Sequence, residues 1–153
     1  MIHSKSIAFL AARNYADKIL EMSASTATVD LAAQVLGCEP ARIAKTLSFD
    51  VMGRTILIVC AGTSKIDNQK YKKEFSTKAR MLRAEEVESR TGFPVGGVCP
   101  FTEQDKLDIF FDDSIKAFDY VFPACGTPNS AIRLTIAELE KIVQPKSWIN
   151  VTK

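Results

Sequence analysis

The 153-residue chain is 46% hydrophobic and 25% charged, a mixture that excludes intrinsically disordered, collagen-like and coiled-coil proteins. A chain of this length predicts one domain over residues 1–153, with room for no second module and a core that needs no disulfide or metal. Its 20 Lys and Arg against 18 Asp and Glu give a net charge of +2, which argues against a uniformly basic nucleic-acid coat protein.

Helices are predicted in the first part of the chain. Apolar residues at spacings of three and four predict an amphipathic helix over residues 7–22. A second helix is predicted over residues 29–36, and Gly37 suits the left-handed conformation that ends a helix. Pro40 then suits the start of a short helical turn that runs to Ile43.

Two adjacent strands are predicted next. Residues 46–51 alternate between apolar and polar, residues 55–60 are nearly all apolar, and Met52-Gly53 can form the turn between them. The polar segment that follows predicts two helices, over residues 67–75 and 84–90, with a short strand over residues 79–82 between them. Gly and Pro crowd into residues 92–100, which predicts an irregular loop.

The last third of the chain returns to strands, which are predicted over residues 107–111, 120–124, 131–134 and 148–151. Thr135 and Glu138 form a capping-box pattern, which predicts the start of a helix that Pro145 ends. This order of elements predicts an α+β (mixed α/β) fold, a single domain in which helices surround a mixed β-sheet.

Several classes of protein and site are not expected. No apolar run reaches the ~18–20 residues of a membrane span, and the N-terminus resembles neither a secretory nor a transit peptide, which favours a cytoplasmic location. The four cysteines lie at least 22 positions apart and His3 is the one histidine, so neither a metal site nor a disulfide is expected. Dinucleotide-binding and Walker A motifs are absent, and no cofactor is expected.

Lys45 is the first candidate functional residue, because it lies where the short helical turn enters a strand. An ammonium group at a strand end can face a pocket and bind an anionic or carbonyl group. The alternative is a solvated charge beside the strand, which is the more common role of a lysine in this position.

The loop Gly96-Gly97-Val98-Cys99-Pro100-Phe101 is the second candidate. Adjacent glycines allow a close approach of the backbone to a ligand, and their N–H groups could form an oxyanion hole. A plain surface connection is the alternative. The Cys99 thiol would need a base to act as a nucleophile, and the one imidazole, His3, lies at the N-terminus. Catalysis by this thiol is therefore disfavoured.

Hydrogen-bonding side chains near a third turn could also contact a substrate. The turn that begins at Gly126 presents Asn129 and Ser130, and Thr26 lies in a small polar segment earlier in the chain. Such residues are also ordinary components of turns, and a purely structural role is the alternative.

The charges are unevenly distributed along the chain. Residues 65–83 hold seven basic and two acidic side chains, a net +5, whereas residues 103–119 have a net charge of −4. The basic segment predicts contact with an RNA backbone, and a solvated surface is the alternative. The candidate RNA-binding residues are Lys65, Lys70, Lys72 and Lys73.

Taken together, these motifs resemble one family. The helix ending Ala-Ala-x-x-Leu-Gly, then Lys45-Thr46-Leu47, and later Gly-Gly-Val-Cys-Pro-Phe are similar in order and spacing to the YbaK/prolyl-tRNA synthetase-associated editing domains. Members of this family are trans-editing aminoacyl-tRNA deacylases. The resemblance spans nearly the whole chain and implies a mixed sheet with a pocket at its end.

The resemblance implies hydrolysis of the ester that joins a small, wrongly attached amino acid to a tRNA, with tRNA for proline the first candidate. It implies that Lys45 binds the terminal phosphate or the aminoacyl group, while N–H groups around Gly96–Cys99 stabilise the oxyanion. Some members carry a histidine in the later turn where this chain has Asn129, so no role as a base carries over to this position.

The implied partner is the 3′ aminoacyl end of tRNA, with an aminoacyl-tRNA synthetase as a further candidate, and neither DNA nor a membrane is expected. Three other functions remain open at this point: a non-catalytic tRNA-binding or regulatory module on the same fold, a small-molecule ester hydrolase, and a thiol enzyme built on Cys99. Hydrolysis of mischarged tRNA distinguishes the first of these from an editing enzyme.

Overall fold

The computed structural model describes residues 4–153, within which the chain forms five α-helices and eight β-strands. The helices are α1 (Ser4–Ala11), α2 (Val29–Leu36), α3 (Asn68–Phe75), α4 (Ala84–Thr91) and α5 (Ile136–Val143). The strands are β1 (Leu20–Glu21), β2 (Ile43–Val51), β3 (Arg54–Ala61), β4 (Leu107–Asp112), β5 (Tyr120–Pro123), β6 (Ser130–Ala131), β7 (Leu134–Thr135) and β8 (Ser147–Ile149). None of the helices described is long and apolar enough to cross a bilayer.

Six strands form one mixed sheet in the order β7-β5-β2-β3-β4-β8, and β1 pairs with β6 in a separate two-stranded sheet. The antiparallel hairpin of β2 and β3 lies at the centre, with Ala44 opposite Ala61 and Val51 opposite Arg54. β3 also runs parallel to β4, and residues 55–61 are all buried, as their apolar composition predicts. The sequence-based prediction of a mixed sheet surrounded by helices is confirmed.

One edge of β2 lacks a partner strand over three residues. β5 pairs with β2 only at Ile43 and Ala44. Further along the same edge, the Asp50 N–H donates to the Arg80 carbonyl at 2.9 Å and the Leu82 N–H donates to the Ser48 carbonyl at 3.1 Å. The gap between these two contacts spans Lys45-Thr46-Leu47. Because backbone groups alternate in direction along a strand, the N–H and C=O of Thr46 point to this open edge, as those of Ser48 and Asp50 do.

Three groups of buried apolar side chains hold the elements together. The largest packs Leu57, Val59 and Phe111 of the sheet against α1 and α5. A second group, on other residues of the same strands, surrounds Phe49 and Tyr71. A third group joins Ala32 and Ala33 of α2 to Ile43 and Phe122, which fixes α2 beside the open edge of β2.

Two helix predictions are confirmed in detail. Gly37 follows α2 with a φ of 69°, as predicted. The Thr28 hydroxyl, which was not predicted as a cap, accepts a hydrogen bond from the Leu31 N–H at the start of this helix. α5 begins with the predicted capping box of Thr135 and Glu138.

The prediction of one long first helix over residues 7–22 is wrong, because α1 ends at Ala11. Asn14 takes a left-handed φ of 65°, and the chain then forms the short 3₁₀ turn Ala16–Lys18 and the strand β1. The apolar stripe instead serves tertiary packing, since Tyr15 and Ile19 lie against the largest core group. Pairing of β1 with β6 overrides the local helical pattern.

Three short strands differ from their predictions. Residues 79–82 form a single bridge between Met81 and Phe49 rather than a strand. The predicted strand over residues 131–134 is divided into β6 and β7, which join different sheets. The last strand covers Ser147–Ile149 rather than residues 148–151, because Asp112 takes up the Val151 N–H that a longer strand would use.

The buried Asp112 carboxyl group holds the C-terminal segment to the sheet. Its oxygens accept hydrogen bonds from the Val151 N–H at 2.8 Å, the Thr152 hydroxyl at 2.7 Å and the Ser114 N–H at 2.9 Å, and the side chain is fully buried. We expect Asp112→Ala to lower the free energy of unfolding by about 3 kcal/mol, because three donors lose their acceptor. Urea unfolding measures this loss, with the exposed Asp105→Ala as control; equal midpoints for the two variants would contradict the assigned role.

Candidate active site

A cavity of about 330 Å³ lies at the open edge of β2, between α2 and the loops around Gly96 and Ser130. One side is apolar and is formed by Val29, Ala32, Leu36, Ile43, Leu47 and Phe122. The polar residues of the lining are Thr26, Thr28, Lys45, Thr46 and Ser130. The cavity exists because β5 leaves β2 after Ala44, so that loop residues rather than a strand cover the next three positions.

Lys45 lines this cavity, and its ammonium group is held in place by backbone oxygens. Its Nζ donates to the Gly62 carbonyl at 3.1 Å and to the Ser64 carbonyl at 2.5 Å. An ammonium group has three N–H donors, so one remains for a ligand. The opposite residue on β3, Cys60, has its pKa raised to about 12 by burial, although the positive charge of Lys45 opposes this shift. Its thiol therefore stays protonated beside Lys45 near neutral pH.

Gly62 allows α2 and the turn before β2 to approach the end of β3. A Cβ atom at this position would lie 2.2 Å from the Pro40 carbonyl oxygen and 2.8 Å from Val29 Cγ1. Any other residue would therefore push these segments away. The same glycine supplies one of the two carbonyls that hold Lys45.

The glycine loop packs tightly against the turn at Gly126. A Cβ atom on Gly97 would lie 2.8 Å from the carbonyl carbon and oxygen of Gly126, and Gly96 has a φ of 85°. The Gly97 N–H donates to the Pro94 carbonyl at 2.9 Å and is therefore occupied. No acceptor within residues 4–153 takes the N–H of Gly96 or Val98, and both residues line the cavity. Gly96 and Val98 are therefore the loop residues that line the cavity with an N–H group unpaired within the described chain.

Thr26 and Asn129 hold the walls of the cavity together. The Thr26 N–H and hydroxyl both donate to the Pro128 carbonyl, at 2.5 and 3.1 Å. The Asn129 Nδ2 donates to the Met22 carbonyl at 3.1 Å, and its Oδ1 accepts from the Thr127 hydroxyl at 2.9 Å. The Asn129 side chain is thus engaged on both sides and does not line the cavity.

About half of the predicted catalytic and substrate-binding residues line this one cavity. The lining includes Lys45, Gly96, Val98, Thr26 and Ser130. The remaining predicted residues lie behind the wall rather than on it: Gly97, Cys99, Pro100, Phe101, Gly126 and Asn129.

Cys99 is fully buried in the largest core group, with its sulfur 3.5 Å from the Ser6 hydroxyl. Burial raises the pKa of this thiol to about 11, so it is neither a thiolate near neutral pH nor in contact with the cavity. His3, which was considered as its base, lies outside the described residues.

The predicted RNA-binding lysines lie on the segment that follows the two carbonyls bound to Lys45. Lys65 comes directly after Ser64, and Lys70, Lys72 and Lys73 lie on α3. No acidic side chain of the described chain lies within 4.0 Å of these four ammonium groups, whereas Lys116 and Lys146 are ion-paired. Lys70 is partly engaged, since its Nζ donates to the Thr152 carbonyl at 2.8 Å. The charges of these four lysines are therefore not compensated by ion pairs, whereas Arg80 and Arg83, later in the basic segment, pair with Asp50 and Glu86.

Several residues that line the cavity, above all Thr46 and Phe122, were not predicted from the sequence. Both belong to predicted strands, and their exposure to a cavity depends on where β5 separates from β2. Thr46 lies next to Lys45 in the motif, which was the one available signal. Within residues 4–153, no three Asp, Glu, His or Cys side chains converge in a way that could hold a metal ion.

Comparison with known proteins places this arrangement in a family. Residues 23–142 match the model of the aminoacyl-tRNA editing domain. The chain is 48% identical over 141 residues to the uncharacterized protein YwhH of Bacillus subtilis, and the match covers 92% of this chain and 90% of that protein.

Two crystal structures have closely similar folds. One is described as a candidate trans-editing enzyme for prolyl tRNA synthetase, with a TM-score of 0.86, 27% identity, and coverage of 100% of this chain and 99% of that one. The other is the hypothetical protein APE2540, with a TM-score of 0.85, 27% identity, and coverage of 98% and 100%. With its cavity, its lysine and its glycine loop, the chain belongs to the aminoacyl-tRNA editing domain family, whose members are hydrolases of aminoacyl-tRNA.

Proposed function

We propose that this chain is a trans-editing deacylase that releases a small amino acid from the 3′ adenosine of a mischarged tRNA, with tRNA for proline as the first candidate. The observation that carries the proposal is that Lys45, Gly96 and Val98 line one cavity, and that the N–H groups of Gly96 and Val98 have no acceptor in the described chain. Residues 1–153 then act as one editing domain, and a tRNA substrate implies a cytoplasmic location.

The reaction needs no side-chain nucleophile, because an aminoacyl ester is already activated. A water oxygen bonds to the ester carbonyl carbon, and negative charge develops on the carbonyl oxygen. Donors that are already in place stabilise that charge, and the Gly96 and Val98 N–H groups fill this role. The bond from the carbonyl carbon to the ribose oxygen then breaks. That oxygen takes one proton of the attacking water, the other proton passes to solvent, and the amino acid leaves as its carboxylate.

Lys45 holds the substrate in position during this step. Its remaining N–H donor is free to bind the terminal phosphate or the carbonyl of the aminoacyl group. The two backbone carbonyls fix the ammonium group before the substrate arrives, which reduces the entropy lost on binding. The ribose hydroxyl next to the ester can orient the attacking water.

The cavity volume favours a small amino acid. At about 330 Å³ it lies near the lower end of the range of ~300–1,000 Å³ found for ligand pockets. Leu36, Ile43 and Phe122 close its apolar side, and all three are anchored in or against the core group beneath α2. A bulky aminoacyl group would have to displace these side chains.

The body of the tRNA lies, in this proposal, along the basic segment that begins at Lys65. Ser64 contacts Lys45 and is followed directly by that segment, so a strand of phosphates leaving the cavity meets Lys65 and then the lysines of α3. An aminoacyl-tRNA synthetase is a further candidate partner, because an editing enzyme acts on the product of such an enzyme.

Neutralising two of these lysines tests the placement of the tRNA. We expect the double variant Lys72→Gln and Lys73→Gln to raise the KM for mischarged tRNA ~10-fold at low salt, because two phosphate contacts are lost. The difference from the wild type shrinks as salt is raised. Deacylation kinetics at several salt concentrations measure both effects.

The matched control neutralises Lys106 and Lys116, which lie in the acidic segment of the chain. An unchanged KM for the α3 variant, or an equal effect of the control pair, would contradict this placement. An unchanged KM combined with full activity on an aminoacyl ester of adenosine would favour a small-molecule ester hydrolase instead.

The proposed function itself is tested by the release of amino acids from mischarged tRNA. The wild-type protein is incubated with tRNA for proline that carries alanine, serine, cysteine or proline, and the remaining ester is measured over time. Release of one of the small amino acids but not of proline is the expected result. Binding without release would favour the non-catalytic module.

A further inference from the structure

The two carbonyls that hold the Lys45 ammonium group, those of Gly62 and Ser64, lie on one short loop, residues 62–67, between β3 and α3. This loop lies outside the helices and strands, so its position depends on contacts with neighbouring segments. A lysine side chain is a flexible stem of four carbons, and its ammonium group takes a defined position only where its acceptors do. The contacts that fix this loop therefore also fix the cation of the cavity.

The start of the loop is fixed through Ser114. β4 pairs with β3 only as far as Val59, which lies opposite Phe111. Beyond that point the Ser114 hydroxyl takes the place of the strand and accepts a hydrogen bond from the Ala61 N–H at 3.0 Å. The Ser114 N–H donates in turn to the Asp112 carboxyl group at 2.9 Å. Asp112 is thus connected to the end of β3 through one intervening residue.

The end of the loop is fixed by the C-terminal segment, residues 151–153. Lys65 and Lys153 exchange two backbone hydrogen bonds, at 2.9 and 3.5 Å. Lys65 directly follows Ser64 in the chain. The Ser64 carbonyl, which accepts a hydrogen bond from Lys45, is therefore one residue away from this backbone pairing.

Asp112 also holds the C-terminal segment, and so it reaches the loop a second time. Its carboxyl group accepts hydrogen bonds from the Val151 N–H and the Thr152 hydroxyl. The Val151 carbonyl accepts in turn from the Asp67 N–H at 2.8 Å. One fully buried carboxyl group thus holds both ends of the loop, the first end through Ser114 and the second through the C-terminal segment.

We propose that Asp112 is a positioning residue for the deacylation reaction, because it fixes the loop whose Ser64 carbonyl holds the Lys45 ammonium group. This inference rests on the proposed function and adds to it a residue that does not line the cavity. The control that Asp112 exerts is partial, since the Gly62 carbonyl has a separate support: the Gly62 N–H donates to the Ala41 carbonyl at 3.4 Å.

Two substitutions loosen the loop without changing Asp112 itself. Ser114→Ala removes the acceptor of the Ala61 N–H, and Thr152→Val removes a hydroxyl that bonds the carboxyl group. We expect each variant to lower the single-turnover rate on mischarged tRNA at saturating enzyme ~10-fold, because displacements of about 1 Å have effects of ~100-fold and one of the two carbonyls stays in place. Thr152→Ser, which keeps the hydroxyl, restores the wild-type rate.

The matched control is Thr55→Val, which removes a hydroxyl from the opposite end of β3, where it accepts a hydrogen bond from Arg90 Nε at 3.0 Å. We expect this variant to keep the wild-type rate. The decisive readout is the combination of Ser114→Ala with Lys45→Met. If the loop acts on the reaction through Lys45, Ser114→Ala causes no further loss once the ammonium group is absent. A residue that only stabilises the fold would lower the rate by the same factor in both backgrounds.

The rates are compared at a temperature at which thermal unfolding curves show every variant to be folded. Wild-type rates in both Ser114→Ala and Thr152→Val would overturn the inference while leaving deacylation intact, and so would equal loss factors with and without the Lys45 ammonium group. A wild-type protein that hydrolyses no mischarged tRNA would instead overturn the proposed function, and this inference with it.

Discussion

Replacing Lys45 by methionine is expected to lower kcat/KM for mischarged tRNA by ~100-fold or more, which corresponds to about 2.7 kcal/mol of lost transition-state stabilisation. Methionine keeps the length and apolar stem of the side chain but removes the ammonium group. The physical reason is that Lys45 supplies the one cation among the described residues that line the cavity, fixed by the Gly62 and Ser64 carbonyls. Single-turnover deacylation over a range of enzyme concentrations gives kcat/KM, and the rate at saturating enzyme shows how much of the loss occurs in the bound complex.

The effect of this variant on stability is expected to be modest. The Gly62 and Ser64 carbonyls lose a donor, which destabilises the fold by about 1–2 kcal/mol. Lys146→Met is the matched control, because Lys146 lies next to β8 at the far edge of the sheet and pairs with Asp108. A folded Lys45→Met protein with wild-type rates would contradict the role of Lys45, and an equal loss in Lys146→Met would show that the effect is not specific to the cavity.

Gly97→Ala is expected to reduce activity ~100-fold although Gly97 does not touch the cavity. Its new Cβ would lie 2.8 Å from the Gly126 carbonyl group and 3.0 Å from Thr127 Cα, all of them backbone atoms that cannot rotate away. The two loops must separate, which displaces the Gly96 and Val98 N–H groups from the position of the developing oxyanion. A displacement of about 1 Å can cost ~100-fold in rate.

The same substitution is expected to lower the free energy of unfolding by about 1–3 kcal/mol, as overpacking of a tight contact does. Gly53→Ala is the control, since Gly53 has a φ of 90° but a Cβ added there would meet no atom within 4 Å. That control introduces only backbone strain, which costs about 1 kcal/mol, and it keeps full activity. Wild-type rates in correctly folded Gly97→Ala would show that the position of this loop does not determine catalysis.

Short local sequence motifs were sufficient to predict where α2 ends and where α5 begins. Gly37 after α2 and the Thr135–Glu138 box at the start of α5 are local signals, so they can be recognised without knowledge of the fold. The end of α1 could not be found in this way. It is decided by the pairing of β1 with β6, which involves residues more than 100 positions later.

The candidate site could be predicted only in part, because some of its contacts also depend on the folded chain. Lys45 and Gly96 carry a chemical signal in their own type and position, and both line the cavity. The predicted substrate-binding Asn129 instead bonds Met22 and Thr127 through its side chain, a contact that only the folded chain reveals. That Thr46 lines the cavity could be seen only when the gap in the pairing of β2 was known.

In the folded protein, the basic side chains behind the net charge of +2 are unevenly ion-paired. The cationic groups on the sheet edges and around α4 are mostly ion-paired, as Arg54 is with Asp108 and Arg90 with Asp50. The four lysines of the basic segment have no ion pair within the described chain, and they adjoin the loop that holds Lys45. A nearly neutral chain can therefore still present one uncompensated basic surface to an RNA backbone.

The most direct measurement is single-turnover hydrolysis by the wild-type protein of tRNA for proline that carries serine, alanine, cysteine or proline. We expect release of at least one of serine, alanine and cysteine well above its uncatalysed rate, and loss of proline no faster than its uncatalysed rate. Rates indistinguishable from spontaneous hydrolysis for all four esters, with the protein folded and in excess over the tRNA, would contradict the assignment of this cavity as a deacylation site.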